Sequence, residues 1–290
     1  MSNWLEIFQR GPTINLLVGV SIIAALCAYL GVFLVLRREA ITGAVLVQTS
    51  PLGIALALYL SGLLTSDAFN PVRLSPLLLA LLLTVILATL IALPHRARCV
   101  RRQSPGALAW LSIVALATLV ATSWAIVGAA SIVHAKAEML YLLFGNRLTI
   151  SVASVLSLAG LTLVVGIVHR LFYREFLYVS FDPETAVALG RRARWWNVLL
   201  YLTIGITIVL AIRAAGALVV FNFLVLPAST ALLLSQRLPT AFGLSVAVGV
   251  ITSLLGVAIS SVAQWPSGPT IAAMSIVLAL GAGVARLVRG

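Results

Sequence analysis

Hydrophobic residues in this chain run in long blocks rather than in the short alternation of a half-buried strand. A bilayer core of about 30 Å needs about 20 apolar residues per helix. On that measure the blocks predict an all-α integral membrane protein with about nine spans (eight or nine). They fall at 13–36, 43–64, 74–94, 107–130, 149–172, 195–212, 216–234, 239–262 and 269–288. Two connections, Arg213 to Ala215 and Ser235 to Leu238, are so short that the spans they join must be antiparallel neighbours. Between the fourth and fifth spans lies "HAKAEMLYLLFGNRLTIS", whose apolar run is too short to cross. Gly145-Asn146 ends that run like a helix cap, so an interfacial or re-entrant helix is expected there.

Polar residues interrupt one span at depth. In "EAITGAVLVQTSPLGIAL", residues 39–56, Gln48, Thr49 and Ser50 precede Pro51 and Gly53. Proline and glycine are expected to break the helix here, which a bilayer tolerates only against protein or a water-filled path. Gln48, Thr49, Ser50 and Pro51 are therefore candidate lining of a translocation path. Asn222, in the seventh span, is a further candidate pore-lining side chain, whereas Gly205, Gly216, Pro227 and residues 228–231 suit close helix packing.

Composition agrees with the blocks. Apolar residues make up 62% of the 290 and charged residues 9%, against about 45–50% and about 25% in soluble domains. There is too little charge to cover a water-facing globule, so residues 1–290 are expected to form a single transmembrane domain. The N-terminal "MSNWLEIFQRGPT" carries no basic run and no small-residue cleavage site, so the first span is expected to be retained. Cys27 and Cys99 lie far apart and suggest neither a disulfide nor a metal pair.

The net charge of +12 invites a nucleic-acid reading, but its placement excludes one: the basic residues sit in short connections between spans. Fourteen of the nineteen follow spans 1, 3, 5, 7 and 9, and five lie on the other side. The positive-inside rule then places the N-terminus outside and the C-terminus in the cytoplasm.

No G-x-x-x-x-G-K-[ST] occurs, Lys136 is the sole lysine, and none of the seven acids stands convincingly at mid-membrane. A phosphate loop of its own and a carboxylate-based ion relay are thus both disfavoured. No catalytic residue, no resident metal and no cofactor are expected on this chain, and energy should come from a separate subunit. The stretch "LFYREFLYVSFDPETAVALGRRARWW" supports that, since it mixes apolar and charged residues in the longest cytoplasmic connection. Ser180 or Asp182 can cap a short helix there, with Pro183 in its first turn, Glu184 near its positive end and Gly190 as its stop. Such a helix, over about 180–190, can dock into a partner.

"YVSFDPETAVALG", "RAAGALVVFNFLVLPASTALLLS" and "WPSGPT", in this order, resemble the membrane subunit of the ABC-3 family. So do the upstream "LVLRREAITGAVLVQTSPLGIALAL" and "EMLYLLFGN", and the resemblance covers roughly residues 13 to 288. These are permeases of bacterial importers for zinc, manganese and iron. The resemblance implies a multi-pass protein of the bacterial cytoplasmic membrane with a fold similar to vitamin B12 importer-type permeases. It implies as partners an ABC ATPase that binds ATP and Mg, a second permease copy or a paralogous permease, and a periplasmic or lipoprotein binding protein. It also implies that Ser180, Phe181, Asp182, Pro183 and Glu184 belong to the coupling helix that sits in a groove of the ATPase.

One departure bears on the cargo. The family usually has an aspartate after the glycine of the opening motif and a histidine four residues on, on one helix face where both can bind a metal. Ala44 and Gln48 stand there in this chain. Asn146 stands where the family has an acid, and Ser260, Ser261 and Gln264 precede the Pro-Ser-Gly block where the family commonly has Ser-Tyr and an acid. His95, His134 and His169 are expected to be interfacial side chains rather than substitute ligands. Three readings follow: a metal path of weak neutral donors, a chelated or non-metal cargo, or a heterodimer whose other permease carries the ligands.

Overall fold

The computed structural model describes residues 11–37, 39–64, 76–92, 116–117, 120, 123, 150–181, 193–235, 237–263 and 265–289. Among these residues the chain is entirely helical: α1 (Gly11–Leu36), α2 (Ala40–Leu64), α3 (Pro76–Ala92), α4 (Val152–Leu171), α5 (Tyr173–Phe181), α6 (Ala193–Ala215), α7 (Ala217–Leu234), α8 (Leu238–Ala263) and α9 (Ser267–Arg289). Seven of them are long and apolar enough to cross a membrane, and α3 is a shorter apolar helix. Eight of the nine expected spans therefore coincide with helices, and the expected span 107–130 lies largely outside the described residues. The interfacial helix expected before residue 150 lies outside them too.

The chain clusters into two compact units: Met1–Arg38, Tyr141–Ile167 and Leu210–Gly290 in one, Glu39–Leu140 and Val168–Val209 in the other. In the first unit α1 packs on α7 and α8, and α9 packs on the same two helices. No hydrophobic force distinguishes a neighbouring helix from lipid tails, so close approach through small residues drives such packing. The stripe on α8 shows it: Ser245, Gly249, Ser253, Gly256 and Ser260 recur three or four residues apart and all are buried. A Cβ on Gly249 would come within 3.0 Å of the Ala28 methyl, and one on Gly256 within 2.7 Å of the Ile271 Cα. Tyr29, Phe33 and Phe242 close one end of the α1–α8 seam as an aromatic trio, with ring centroids 5.0–5.7 Å apart. Leu280, Val284 and Leu287 of α9 are exposed, as an apolar membrane-crossing surface should be.

In the second unit α3 lies along α2. Its buried positions Ala80, Thr84 and Ala88 repeat every four residues and form one narrow face. That face admits Gly53 so closely that a Cβ there would meet the Ala80 Cα at 2.4 Å.

Three expectations need correction. Pro51 does not break α2, which continues to Leu64; the neighbouring Gly53–Ala80 contact holds the backbone in line while one carbonyl goes without its usual donor. Gly53, expected to help break the helix, instead serves helix contact. Ser180 does not start a helix: it lies in the last turn of α5, and its hydroxyl donates to the Phe176 carbonyl at 2.6 Å. A serine inside the last turn of a helix has helical backbone and bonds back to the preceding turn, so it does not occupy the half-extended position of a cap.

The single sharp backbone feature is Gly216, between α6 and α7. Its φ of 88° is the one positive glycine φ among the described residues. Its amide donates to the Ile212 carbonyl at 2.8 Å, which closes α6, and its own carbonyl accepts from Val220 as α7 begins. Only glycine takes this conformation without a steric penalty.

Candidate functional site

The candidate residues fall into the two units, and each group has its own geometry. Gln48, Thr49, Ser50 and Pro51 are consecutive on α2. Thr49 is buried and its hydroxyl donates to the Val45 carbonyl at 2.7 Å. Ser50 is fully buried, as is Thr42 two turns earlier, and neither hydroxyl has a hydrogen-bond partner among the described residues. Pro51 has no N–H to give to the carbonyl of Val47. Buried polar groups of this kind are normally satisfied, so the stretch offers neutral oxygen donors and acceptors at the depth of a span. Ala44 and Gln48 lie four residues apart on the same uninterrupted helix, both half-buried.

In the other unit, Asn222 is buried, and its Nδ2 donates to the Ser275 hydroxyl at 2.7 Å, tying α7 to α9. Ser275 passes its own proton to the Ile271 carbonyl at 3.0 Å, so the oxygen is free to accept. Ser260 closes the α8–α9 turn: its hydroxyl donates to the Trp265 carbonyl at 2.7 Å, and its carbonyl accepts the Trp265 amide at 3.2 Å. Two more bonds join α1 to α8, one between the Ser21 and Ser253 hydroxyls at 3.1 Å and one from Ser245 to the Ala28 carbonyl at 2.8 Å. Asn146, Gln264, Asp182, Pro183 and Glu184 lie outside the described residues. Phe181, the last residue of α5, is exposed.

Replacing Asn222 with leucine should leave the Ser275 oxygen short of a donor and cost about 1 kcal/mol, since interhelical bonds in membranes are worth about 0.6 and at most about 1.7 kcal/mol. Thermal unfolding in detergent measures this. An unchanged midpoint would show that the bond contributes nothing and would leave Asn222 free for another task.

Three buried side chains escaped sequence reasoning. Ser275 gave no signal, because a lone serine in a span is common. Asn197 is fully buried, and its Nδ2 donates to the carbonyl of Ala92, the last residue of α3, at 3.0 Å. His169, expected at an interface, is buried at 1% exposure, with its Nε2 3.1 Å from the Thr203 hydroxyl. The correction has a plain cause: α5 folds back on His169 and places Phe176 flat against its ring, with centroids 4.4 Å apart. Among the described residues no three His, Cys, Asp or Glu side chains gather as a metal-holding group.

A sequence model of the ABC 3 transport family matches residues 11–286. The chain is 28% identical over 263 residues to the manganese transport system membrane protein MntC of Halalkalibacterium halodurans, covering 91% of this chain and 82% of that one. It is 24% identical over 272 residues to the high-affinity zinc uptake system membrane protein ZnuB of Haemophilus influenzae, covering 91% and 93%. Among solved structures, that of PsaBC from Streptococcus pneumoniae in complex with Fab superposes with a TM-score of 0.78. It covers 97% of this chain and 94% of that one at 20% identity, a likeness of fold.

Proposed function

The chain belongs to the ABC 3 transport family, and on that footing we propose that it carries a divalent metal ion, manganese or zinc, through an ATP-driven importer. It is a multi-pass membrane protein of that family, with seven helices of crossing length among the described residues. The observation that carries the reading is the family match from residue 11 to 286. Two relatives covering most of the chain are named for manganese and for zinc. Iron is supported by the sequence resemblance alone.

In this reading ATP and Mg are bound by a partner ATPase, which docks on the stretch from Ser180 and Phe181 through Asp182, Pro183 and Glu184. A binding protein delivers the ion on the opposite face, where the N-terminus lies, and the C-terminus is cytoplasmic. A second permease, identical or paralogous, completes the pathway. The ion is the cargo, and the chain holds no resident cofactor. The candidate path residues are all neutral: Gln48, Thr49, Ser50 and Pro51 on α2, Asn222 on α7 and Ser260 on α8, with Asn146 and Gln264 expected from the sequence alone. Neutral oxygens suit a hard ion such as manganese better than zinc, which prefers nitrogen and sulfur.

The test is metal content in starved cells with and without the gene, with the partner ATPase present. Cellular manganese or zinc should fall on deletion. Unchanged manganese, zinc and iron would sink the proposal. A second reading, a chelated metal or a non-metal solute as cargo, rests on Ala44 and Gln48, which stand where the family resemblance expects metal ligands.

A further inference from the structure

Where α4 ends and α5 and α6 begin, three arginines stand exposed: Arg170 in the last turn of α4, Arg174 in the first turn of α5 and Arg194 in the first turn of α6. None is paired with a carboxylate among the described residues. Glu175 is the one acid on these three helices, and it is half-buried, so the patch keeps a positive excess. Side-chain contacts hold the three segments together. The His169 ring, next to Arg170, stacks on Phe176, two residues past Arg174, with centroids 4.4 Å apart. Phe176 and Phe172 both pack on Trp196, two residues past Arg194, at 5.9 and 4.8 Å.

Large apolar side chains are exposed among these charges. Arg174, Tyr178 and Phe181 recur four and three residues apart on one exposed face of α5, while Phe176, Val179 and Ser180 are buried on the opposite one. Leu171 is 71% exposed and Trp195 68%, each beside an arginine. Water is a costly surrounding for such a group, and the depth of the patch supplies another. The 20 residues of α4, at about 1.5 Å each, match the about 30 Å of a hydrocarbon core. The last turn of α4 therefore stands at the headgroup layer, and so does the first turn of α6 that the rings hold against it. In that layer leucine and the ring bodies meet acyl chains, while guanidinium forks reach phosphates. A soluble protein would have to enter the layer to cover Leu171 and Trp195.

We propose that this patch binds the headgroup of an anionic phospholipid. Arg170, Arg174 and Arg194 take its phosphate, and Leu171, Tyr178 and Trp195 lie against its glycerol and upper chains. The inference holds whichever cargo the chain carries.

The experiment measures binding of phosphatidylglycerol and of phosphatidylcholine, by native mass spectrometry, to the full chain purified with its cognate ATPase. The wild-type complex should prefer phosphatidylglycerol by about a hundredfold, or about fivefold per arginine, the scale for basic residues at an anionic surface. The preference should shrink as salt rises. Arg170→Gln, Arg174→Gln and Arg194→Gln should each lower it by about fivefold, and the triple variant should abolish it. Arg213→Gln removes the same charge from an exposed position at the far end of α6 and should leave the preference unchanged. An equal preference in the wild type and the triple variant would overturn the proposal. So would an equal drop in Arg213→Gln, because that marks net charge rather than a site. Displacement of the lipid by inorganic phosphate would assign the arginines to a free anion, again against the proposal. If the triple variant keeps its lipid preference and instead loses the ATPase on purification, the patch is a protein dock and the proposal fails. Should the triple variant not fold, the three single variants, each at an exposed side chain, carry the same test.

Discussion

Gly31→Ala should cost about 3 kcal/mol or more, the upper end of what over-packing a tight core does, and should largely abolish folded protein at the membrane. A Cβ at this position would stand 2.0 Å from the carbonyl oxygen of Leu224 and 2.8 Å from its carbon. Both atoms are backbone of α7, so no side chain can swing away; the two helices must part by more than an ångström. Parting them strips contacts from Phe33, Val220 and Leu224, which are essentially unexposed. Gly160 and Gly166 on α4 provide the control, because none of the described residues lies within 4 Å of a Cβ built on either. Alanine there should be neutral or stabilise by up to about 1 kcal/mol through helix propensity. Unfolding temperatures in one detergent, compared across the three variants, decide the matter. Similar midpoints for all three would refute the close α1–α7 contact as a source of stability.

The second large effect concerns cargo. Ala44→Asp with Gln48→His places a carboxylate and an imidazole four residues apart on one face of α2, a spacing at which both can reach one ion. Hard oxygen and borderline nitrogen replace a methyl group and a neutral amide. If the native path conducts a metal weakly, manganese or zinc uptake at scarce external metal should rise by about tenfold, within the range by which ligand shells alter metal affinity. Loss of native transport, or no gain, would favour the chelated or non-metal cargo. Uptake of radiolabelled manganese and zinc by cells carrying the double variant distinguishes these outcomes. Residues 44 and 48 both lie on the continuous helix α2, so the two new side chains share its face.

Much of the architecture was legible from hydrophobic blocks alone. The expected span 239–262 is α8 at Leu238–Ala263, and 13–36 is α1 at Gly11–Leu36. Agreement this close has a physical origin: inside a bilayer each segment must satisfy its own backbone, so apolar length dictates helix length. The expectation that failed in α2 relied on a rule from water. There, proline ends helices because the freed carbonyl finds solvent more easily than a bent helix; a packed neighbour such as α3, touching at Gly53 and Ala80, removes that alternative.

The candidate site was legible in part. A polar knot at Gln48, Thr49 and Ser50 stood out because hydroxyls and amides are expensive at membrane depth. The buried, unmatched hydroxyl of Ser50 agrees with that cost. The stretch 180–190 stood out by its mixture of charge and apolar residues; Ser180 belongs to the last turn of α5, and residues 182–190 lie outside those described. His169 looked like an ordinary residue at the end of a span. Its partner Thr203 is 34 positions away, and no local pattern announces such a bond.

By itself, then, the sequence determined that the chain crosses the membrane many times, where most spans begin and end, and which family it belongs to. Those properties follow from length, composition and short motifs, all of them local. Tertiary structure alone decided that Gly31 meets Leu224, that Asn222 donates to Ser275, and that His169 is buried rather than at the surface. In lipid every helix is apolar on most faces, so hydrophobicity cannot say which face meets which. That choice falls to small residues and single hydrogen bonds, whose partners lie tens to hundreds of residues away along the chain.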